Sequence, residues 1–172
     1  LIFRGYYAFI KNPRINSKGL DTSAILGFTN SLFDVIKREK PEYIAVCFDK
    51  GGSQDRIKIF PEYKANRDET PEGIKIAVPY IQEILNALGI CIMVKEGYEA
   101  DDIIGTLAKK AKEENFETYM VSPDKDFAQL VNEKTFIYKP MFGGGYETWG
   151  IEEVKNKFEI SDPIQVIDFL AR

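Results

Sequence analysis

Acidic side chains stand where three apolar runs of the sequence end. The six acids are Asp49; Glu99, Asp101 and Asp102; and Asp124 and Asp126. Carboxylate oxygens are the ligands that hard divalent ions such as Mg²⁺ take, and like charges brought close together need either a cation or added protons. The pattern therefore predicts a divalent-metal site. Two such ions about 3.5–4 Å apart would support hydrolysis of a phosphodiester. The alternative for each acid taken singly is a helix cap on a solvated surface.

The chain has 172 residues and no histidine. This composition excludes serine and cysteine nucleophiles activated by histidine, and zinc sites of the HExxH type. Cys47 and Cys91 lie in separate apolar runs with no CxxC pattern, which predicts two buried thiols in a reducing compartment and a cytoplasmic protein. The apolar run 44–48 is too short to cross a bilayer, so no membrane segment is expected.

A basic segment, RIKIFPEYKANR, begins shortly after the first acid. It carries four basic residues against the single acid Glu62, in a chain whose net charge is −4. The basic residues are Arg56, Lys58, Lys64 and Arg67, with the aromatic residues Phe60 and Tyr63 among them. Cations that neutralise phosphates beside rings that stack on bases are typical of single-stranded nucleic-acid binding. A solvated loop with scattered charges is the alternative.

The elements that must position these residues alternate along the chain. Apolar periodicity predicts helices over about 22–40, 71–88, 100–114, 127–131, 151–158 and 163–172, and strands over 43–48, 90–94, 118–121 and 135–138. Residues 1–10 fit either a strand or a buried helix, and residues 143–145 a hairpin turn. The alternation predicts a doubly wound α/β fold. The acids would then meet at one edge of a parallel sheet.

Six strings occur in a distinctive order and spacing: LIFRGYYAF, FDKGGSQDR, FPEYKANRDETPE, GYEADDIIGTLAKKA, VSPDKDFAQLV and GGGYETWG. Together they resemble the amino-terminal 5′-nuclease domain of bacterial DNA polymerase I, a relative of phage and eukaryotic flap endonucleases. The resemblance implies a PIN-like (resolvase-like) three-layer α/β fold. Its central sheet would be mostly parallel, with a basic arch over about residues 50–70.

The same resemblance implies a hydrolase that depends on Mg²⁺ or Mn²⁺, with two ions in the intact domain. It would act as a monomer in DNA replication and repair, removing 5′ flaps or RNA primers. Its partners would be DNA with a 5′ single-strand/duplex junction or an RNA–DNA hybrid.

Site residues follow from the resemblance position by position. Asp49, Glu99, Asp101, Asp102, Asp124 and Asp126 match metal-site acids of the family. Lys64 and Arg67 match catalytic arch residues that contact the scissile phosphate, and Tyr63 matches a position that stacks on a base. Arg4 and Arg56 match further phosphate-contacting positions, and Lys58 lies beside them in the basic segment.

The ends of the family pattern are not all present in the printed sequence. A first strand bearing an aspartate is expected before Leu1. Residues 1–162 correspond to the nuclease domain, and residues 163–172 to the start of a helix–hairpin–helix region. A catalytically incomplete nucleic-acid-binding fragment is therefore an alternative. A phosphoacceptor receiver domain also has acids at strand ends, but it has no use for a basic excursion.

Overall fold

The computed structural model describes residues 1–50, 54–60, 62 and 69–171. Contacts within the chain divide it into two compact units, Leu1–Tyr98 and Glu99–Arg172, and each unit has a hydrophobic core of its own. Among the described residues, no helix combines the length and the hydropathy that a membrane crossing requires. The predicted boundary after residue 162 stays a prediction.

The described residues of the first unit form four helices and a pair of strands. These are α1 (Ile2–Ala8), α2 (Ser23–Glu39), β1 (Ala45–Phe48), α3 (Gln54–Ile59), α4 (Glu72–Ala87) and β2 (Cys91–Val94). Residues 1–10 were expected to form either a strand or a buried helix, and the chain forms the helix α1 there. The segment 50–70 contains α3, although the polar residues of this segment have no clear helical period. Helix α4 continues through Pro79, where a kink was a possibility.

The core of the first unit follows from helical periodicity. Phe28, Leu32 and Val35 recur at the spacing that places them on one face of α2, and all three are buried. Phe28 and Leu32 join a cluster with Ile81 and Leu85 of α4, which are both fully buried. Two amphipathic helices thus cover a small parallel sheet, in which Ala45 stands opposite Cys91.

Strands β1 and β2 are less buried than their apolar sequences suggest. The prediction that residues 43–48 form a strand buried on both faces is wrong, since Ala45 is exposed and only Phe48 of β1 is fully buried. The prediction of two buried thiols is wrong for Cys91, which is exposed, while Cys47 is half-buried. The physical reason is that, among the described residues, β1 and β2 form a sheet of two strands, so that each has a neighbouring strand on one side only.

The second unit, described up to residue 171, has three strands, three α-helices and two 3₁₀ helices. In chain order they are α5 (Ala100–Glu113), β3 (Thr118–Met120), a 3₁₀ helix (Lys125–Leu130), β4 (Thr135–Pro140), β5 (Tyr146–Trp149), α6 (Ile151–Phe158), a second 3₁₀ helix (Pro163–Gln165) and α7 (Val166–Leu170). Strand β3 pairs in parallel with β4, and β4 pairs antiparallel with β5. The parallel strand pairs β1–β2 and β3–β4, which alternate with helices along the chain, confirm the α/β class.

The strands of the described residues lie in two sheets. The described strands form the pair β1–β2 and the set β3–β4–β5. Among them, β1 is hydrogen-bonded only to β2, and β3 is hydrogen-bonded only to β4. The predicted hairpin turn is confirmed. Gly143, Gly144 and Gly145 have left-handed φ values of 88°, 108° and 80° between β4 and β5. Trp149, which ends β5, is 2% exposed and lies in the core of this unit with Ile137 and Val154.

Candidate metal and nucleic-acid site

Three of the predicted acids lie at the start of α5. Glu99 has extended backbone and precedes the helix, and Asp101 and Asp102 belong to its first turn. The Oδ2 atom of Asp102 accepts a hydrogen bond of 3.0 Å from the backbone N–H of Glu99. Negative charge in the first turn is also favoured by the helix dipole. The Glu99 side chain is only 6% exposed, whereas Asp101 is exposed.

Two more acids lie in the turn that follows β3. The backbone N–H of Asp126 donates to Oδ1 of Asp124 at 2.9 Å, so Asp124 caps the first 3₁₀ helix. Asp124 is half-buried and Asp126 is exposed. The SPDKD string therefore forms a turn in which one carboxylate is fixed by the backbone and the other faces solvent.

Ser122 is a positioning residue that the sequence analysis missed. Its Oγ accepts a hydrogen bond of 3.1 Å from the backbone N–H of Asp124. The signal was present, because a serine two residues before an acid after a strand is typical of a side-chain-capped turn. Ser122 thus fixes the backbone that carries Asp124.

The acidic turns of the second unit start elements that contact one another. Helix α5 packs on the first 3₁₀ helix, where a β-carbon at Gly105 would lie 3.5 Å from Cδ1 of Leu130. Asp49 belongs to the other unit, where it is exposed directly after β1. Within the described residues no three acids or cysteines are grouped so that they could hold a metal ion. The ligand set of six carboxylates therefore stays a prediction.

The basic residues fall on α1, on α3 and in the part of the arch that is not described. Arg4 is half-buried on α1, and Arg56 and Lys58 are exposed on α3. Tyr63, Lys64 and Arg67 lie outside the described residues. Ile59 and Phe60, which follow Lys58, are 86% and 55% exposed. Exposed cations beside exposed apolar side chains are the features expected of a surface for single-stranded nucleic acid.

Comparison with known proteins identifies the family. A family model described as the 5′-3′ exonuclease, N-terminal resolvase-like domain, matches residues 1–159. The chain belongs to this family. The resemblance stated from the six strings is thereby confirmed.

Curated relatives in the 5′-3′ exonuclease family include two kinds of protein. A 5′-3′ exonuclease of Aquifex aeolicus is 39% identical over 170 residues, which cover 99% of this chain and 57% of that protein. A DNA polymerase I of Bacillus subtilis is 41% identical over 165 residues, which cover 95% of this chain and 19% of the polymerase. The chain thus spans little more than half of the first relative and about a fifth of the second.

Solved structures agree with the family at the level of the fold. A T5 5′-exonuclease with bound zinc ions has a TM-score of 0.70 and 19% identity, over 96% of this chain and 60% of that one. The catalytic core of Rad2 in complex with a DNA substrate has a TM-score of 0.55 and 21% identity, over 94% and 49%. The resolvase-like α/β fold predicted from the sequence is confirmed.

Proposed function

We propose that this chain is the nuclease domain of a structure-specific 5′ nuclease, which cleaves phosphodiesters in 5′ flaps or RNA primers. The match to the 5′-3′ exonuclease family over residues 1–159 carries the proposal. Its partner would be DNA with a 5′ single-strand/duplex junction or an RNA–DNA hybrid, bound by a monomer in the cytoplasm. Relatives of both kinds fit equally, so the domain belongs to a DNA polymerase I or to a separate exonuclease.

The donor set of the predicted acids suits Mg²⁺ or Mn²⁺. All the candidate ligands are carboxylates in a chain without histidine, and those of Asp101 and Asp126 are exposed. The residues that would hold the ions are Asp49, Glu99, Asp101, Asp102, Asp124 and Asp126. When bound, divalent cations acidify a water molecule and offset negative charge on the phosphate.

The other residues of the proposed site bind and orient the substrate. Lys64 and Arg67 would contact the scissile phosphate and offset the charge that develops there in the transition state. Tyr63 would stack on a base next to that phosphate. Arg4, Arg56 and Lys58 would hold neighbouring phosphates, which sets the register of the strand without reading its sequence.

A cleavage assay tests the proposal. The substrate is a duplex with a 5′ flap labelled at its 5′ end, incubated with the chain and Mg²⁺ or Mn²⁺. EDTA and a blunt duplex of the same sequence serve as controls. We expect short labelled products from the flap only, and none in EDTA. Arg67→Gln in the same assay should lower the rate.

Two results would count against the proposal. Tight flap binding without cleavage in either metal would favour the alternative of a catalytically incomplete binding fragment. That alternative is compatible with the absence of a group of three metal-ligating side chains from the described residues. Cleavage that is insensitive to EDTA would contradict the metal site itself.

A further inference from the structure

Two lysines of the second unit converge on one tryptophan. The Nζ atom of Lys139, on β4, lies 4.5 Å from the ring centroid of Trp149, and that of Lys157, on α6, lies 4.7 Å from it. The two ammonium nitrogens are therefore at most about 9 Å apart, the sum of those distances. Neither lysine belongs to the basic arch or to the residues proposed above.

Neither ammonium group forms an ion pair with an acid in the described part of the chain. Glu147 is the cross-strand neighbour of Lys139, yet the two form no ion pair. Lys155 differs, because on the same helix as Lys157 it pairs with Glu152 at 3.4 Å. The pair therefore concentrates unpaired positive charge in a unit that is otherwise rich in acids.

The tryptophan holds both ammonium groups close to one ring. Trp149 is 2% exposed and packs in the core with Ile137 and Val154, so its ring is fixed by the fold. A cation over an aromatic face is attracted to the ring, which restrains two otherwise flexible side chains. Lys139 is half-buried and Lys157 exposed, so the two groups remain accessible to an anion.

We propose that Lys139 and Lys157 form a second phosphate-binding site, which holds the backbone of the DNA outside the predicted metal site. Each strand of DNA carries a phosphate about every 3.4 Å along the helix axis, so two cations at this separation can bind nearby phosphates of one strand. This inference rests on the proposed function, because a polyanion of this spacing is the substrate of the nuclease. The site positions DNA and takes no part in the chemical step.

Binding experiments on the whole chain test the site. The probe is fluorescein-labelled 5′-flap DNA, and its dissociation constant is measured by anisotropy in EDTA over a range of salt concentrations. The variant is Lys139→Gln with Lys157→Gln. Its conservative partner is Lys139→Arg with Lys157→Arg, and Lys155→Gln, which removes one positive charge from α6, is the control. Thermal melting of each variant reports whether it folds.

We expect the glutamine pair to weaken binding about fivefold or more per lost contact at 0.1 M salt, while the arginine pair and Lys155→Gln bind like the original chain. The slope of log affinity against log salt should fall by about 1.8 if the phosphates are in duplex and about 1.4 if they are single-stranded. Either slope supports the site and identifies which part of the DNA it holds.

Other outcomes overturn the inference and are distinguishable from failure of the proposed function. If the original chain binds flap DNA but the glutamine pair keeps its affinity and slope, only the second site is wrong. A loss of affinity in Lys155→Gln as large as the loss per lysine in the glutamine pair would show a general charge effect and would also reject the second site. If the original chain does not bind flap DNA at any salt concentration, the proposed function and this site both fail.

Discussion

Gly5 of α1 and Gly27 of α2 are in direct backbone contact. A β-carbon on Gly27 would lie 2.9 Å from the carbonyl carbon of Gly5, and one on Gly5 would lie 3.0 Å from Cα of Gly27. Real β-carbons essentially never come as close to backbone as 2.9 Å, so a side chain at Gly27 would force the helices apart. The contact places α1, with Arg4, against α2.

Gly27→Ala should therefore destabilise the first unit. Alanine gains about 1 kcal/mol of helix propensity over glycine, but overpacking against backbone costs about 1–3 kcal/mol, and here no flexible side chain can move aside. We expect a net loss of up to about 2 kcal/mol in the free energy of unfolding. Urea denaturation measures it.

Gly105→Ala is the matched control for that experiment. Gly105 is also inside a helix, but its added β-carbon would meet only Cδ1 of Leu130, at 3.5 Å. The variant should be unchanged or up to about 1 kcal/mol more stable. Equal stabilities for Gly27→Ala and Gly105→Ala would show that the helices separate without cost.

Asp102→Ala and Asp101→Ala should differ in stability although both acids are proposed metal ligands. Asp102 accepts the N–H of Glu99, so its removal leaves that donor without the acceptor and should cost about 1 kcal/mol. Both variants lose the same favourable interaction with the helix dipole. We expect both to lose metal-dependent cleavage, and Asp102→Ala to have the lower midpoint in urea. A stable Asp102→Ala would contradict the capping role.

Asp124→Asn should separate folding from chemistry. Asparagine caps about as well as aspartate, so its side-chain oxygen keeps the bond from the N–H of Asp126 and stability should change by less than about 0.5 kcal/mol. Asp124→Ala loses that bond and should cost about 1 kcal/mol. Both substitutions remove the charge, so cleavage should fall in both while flap binding persists. Unchanged cleavage in Asp124→Asn would reject Asp124 as a metal ligand.

The two thiols should react at different rates. Burial, and secondarily the nearby Cys91, raises the pKa of Cys47 to about 11, so at pH 8 its thiol stays protonated and unreactive. Cys91 is exposed. Iodoacetamide followed by mass spectrometry should therefore find Cys91 modified first, and Cys91→Ser should leave only slow labelling. Comparable rates at pH 8 would contradict this order.

The same shift has a consequence for stability. Unfolding returns the pKa of Cys47 to its ordinary value, so the unfolded chain loses the proton at lower pH than the folded one. The free energy of unfolding should therefore fall as pH rises from the ordinary thiol value towards 11, and Cys47→Ala should abolish that part of the pH dependence. Denaturation at several alkaline pH values measures it.

Periodicity and turn chemistry were enough to predict most elements. The spacing of Phe28, Leu32 and Val35 predicts the buried face of α2, and the glycines 143–145 predict a hairpin turn. The six strings were also enough for the family. These features depend on residues that are close together in the chain, so they can be predicted from a single sequence.

The arrangement of the acids could not be predicted in the same way. Asp102 and Asp124 each accept a hydrogen bond from a backbone N–H. Each bond depends on the exact residue at which the adjoining helix begins. Strand β5 was not predicted, because Tyr146–Trp149 is short and directly follows the glycines. The separation of β1 and β3 into different sheets depends on strand pairing, which apolar content does not reveal.

The glycine tip of the β4–β5 hairpin has open space around it, since a β-carbon on any of Gly143, Gly144 or Gly145 would meet nothing within 4 Å. The restriction at the tip is therefore the left-handed backbone conformation and not the size of a side chain. Ordinary L-amino acids are strained at these φ values, whereas a D-alanine introduced by chemical ligation matches them and would be accepted. A probe could thus be attached at this tip through a mirror-image residue without disturbing the sheet below.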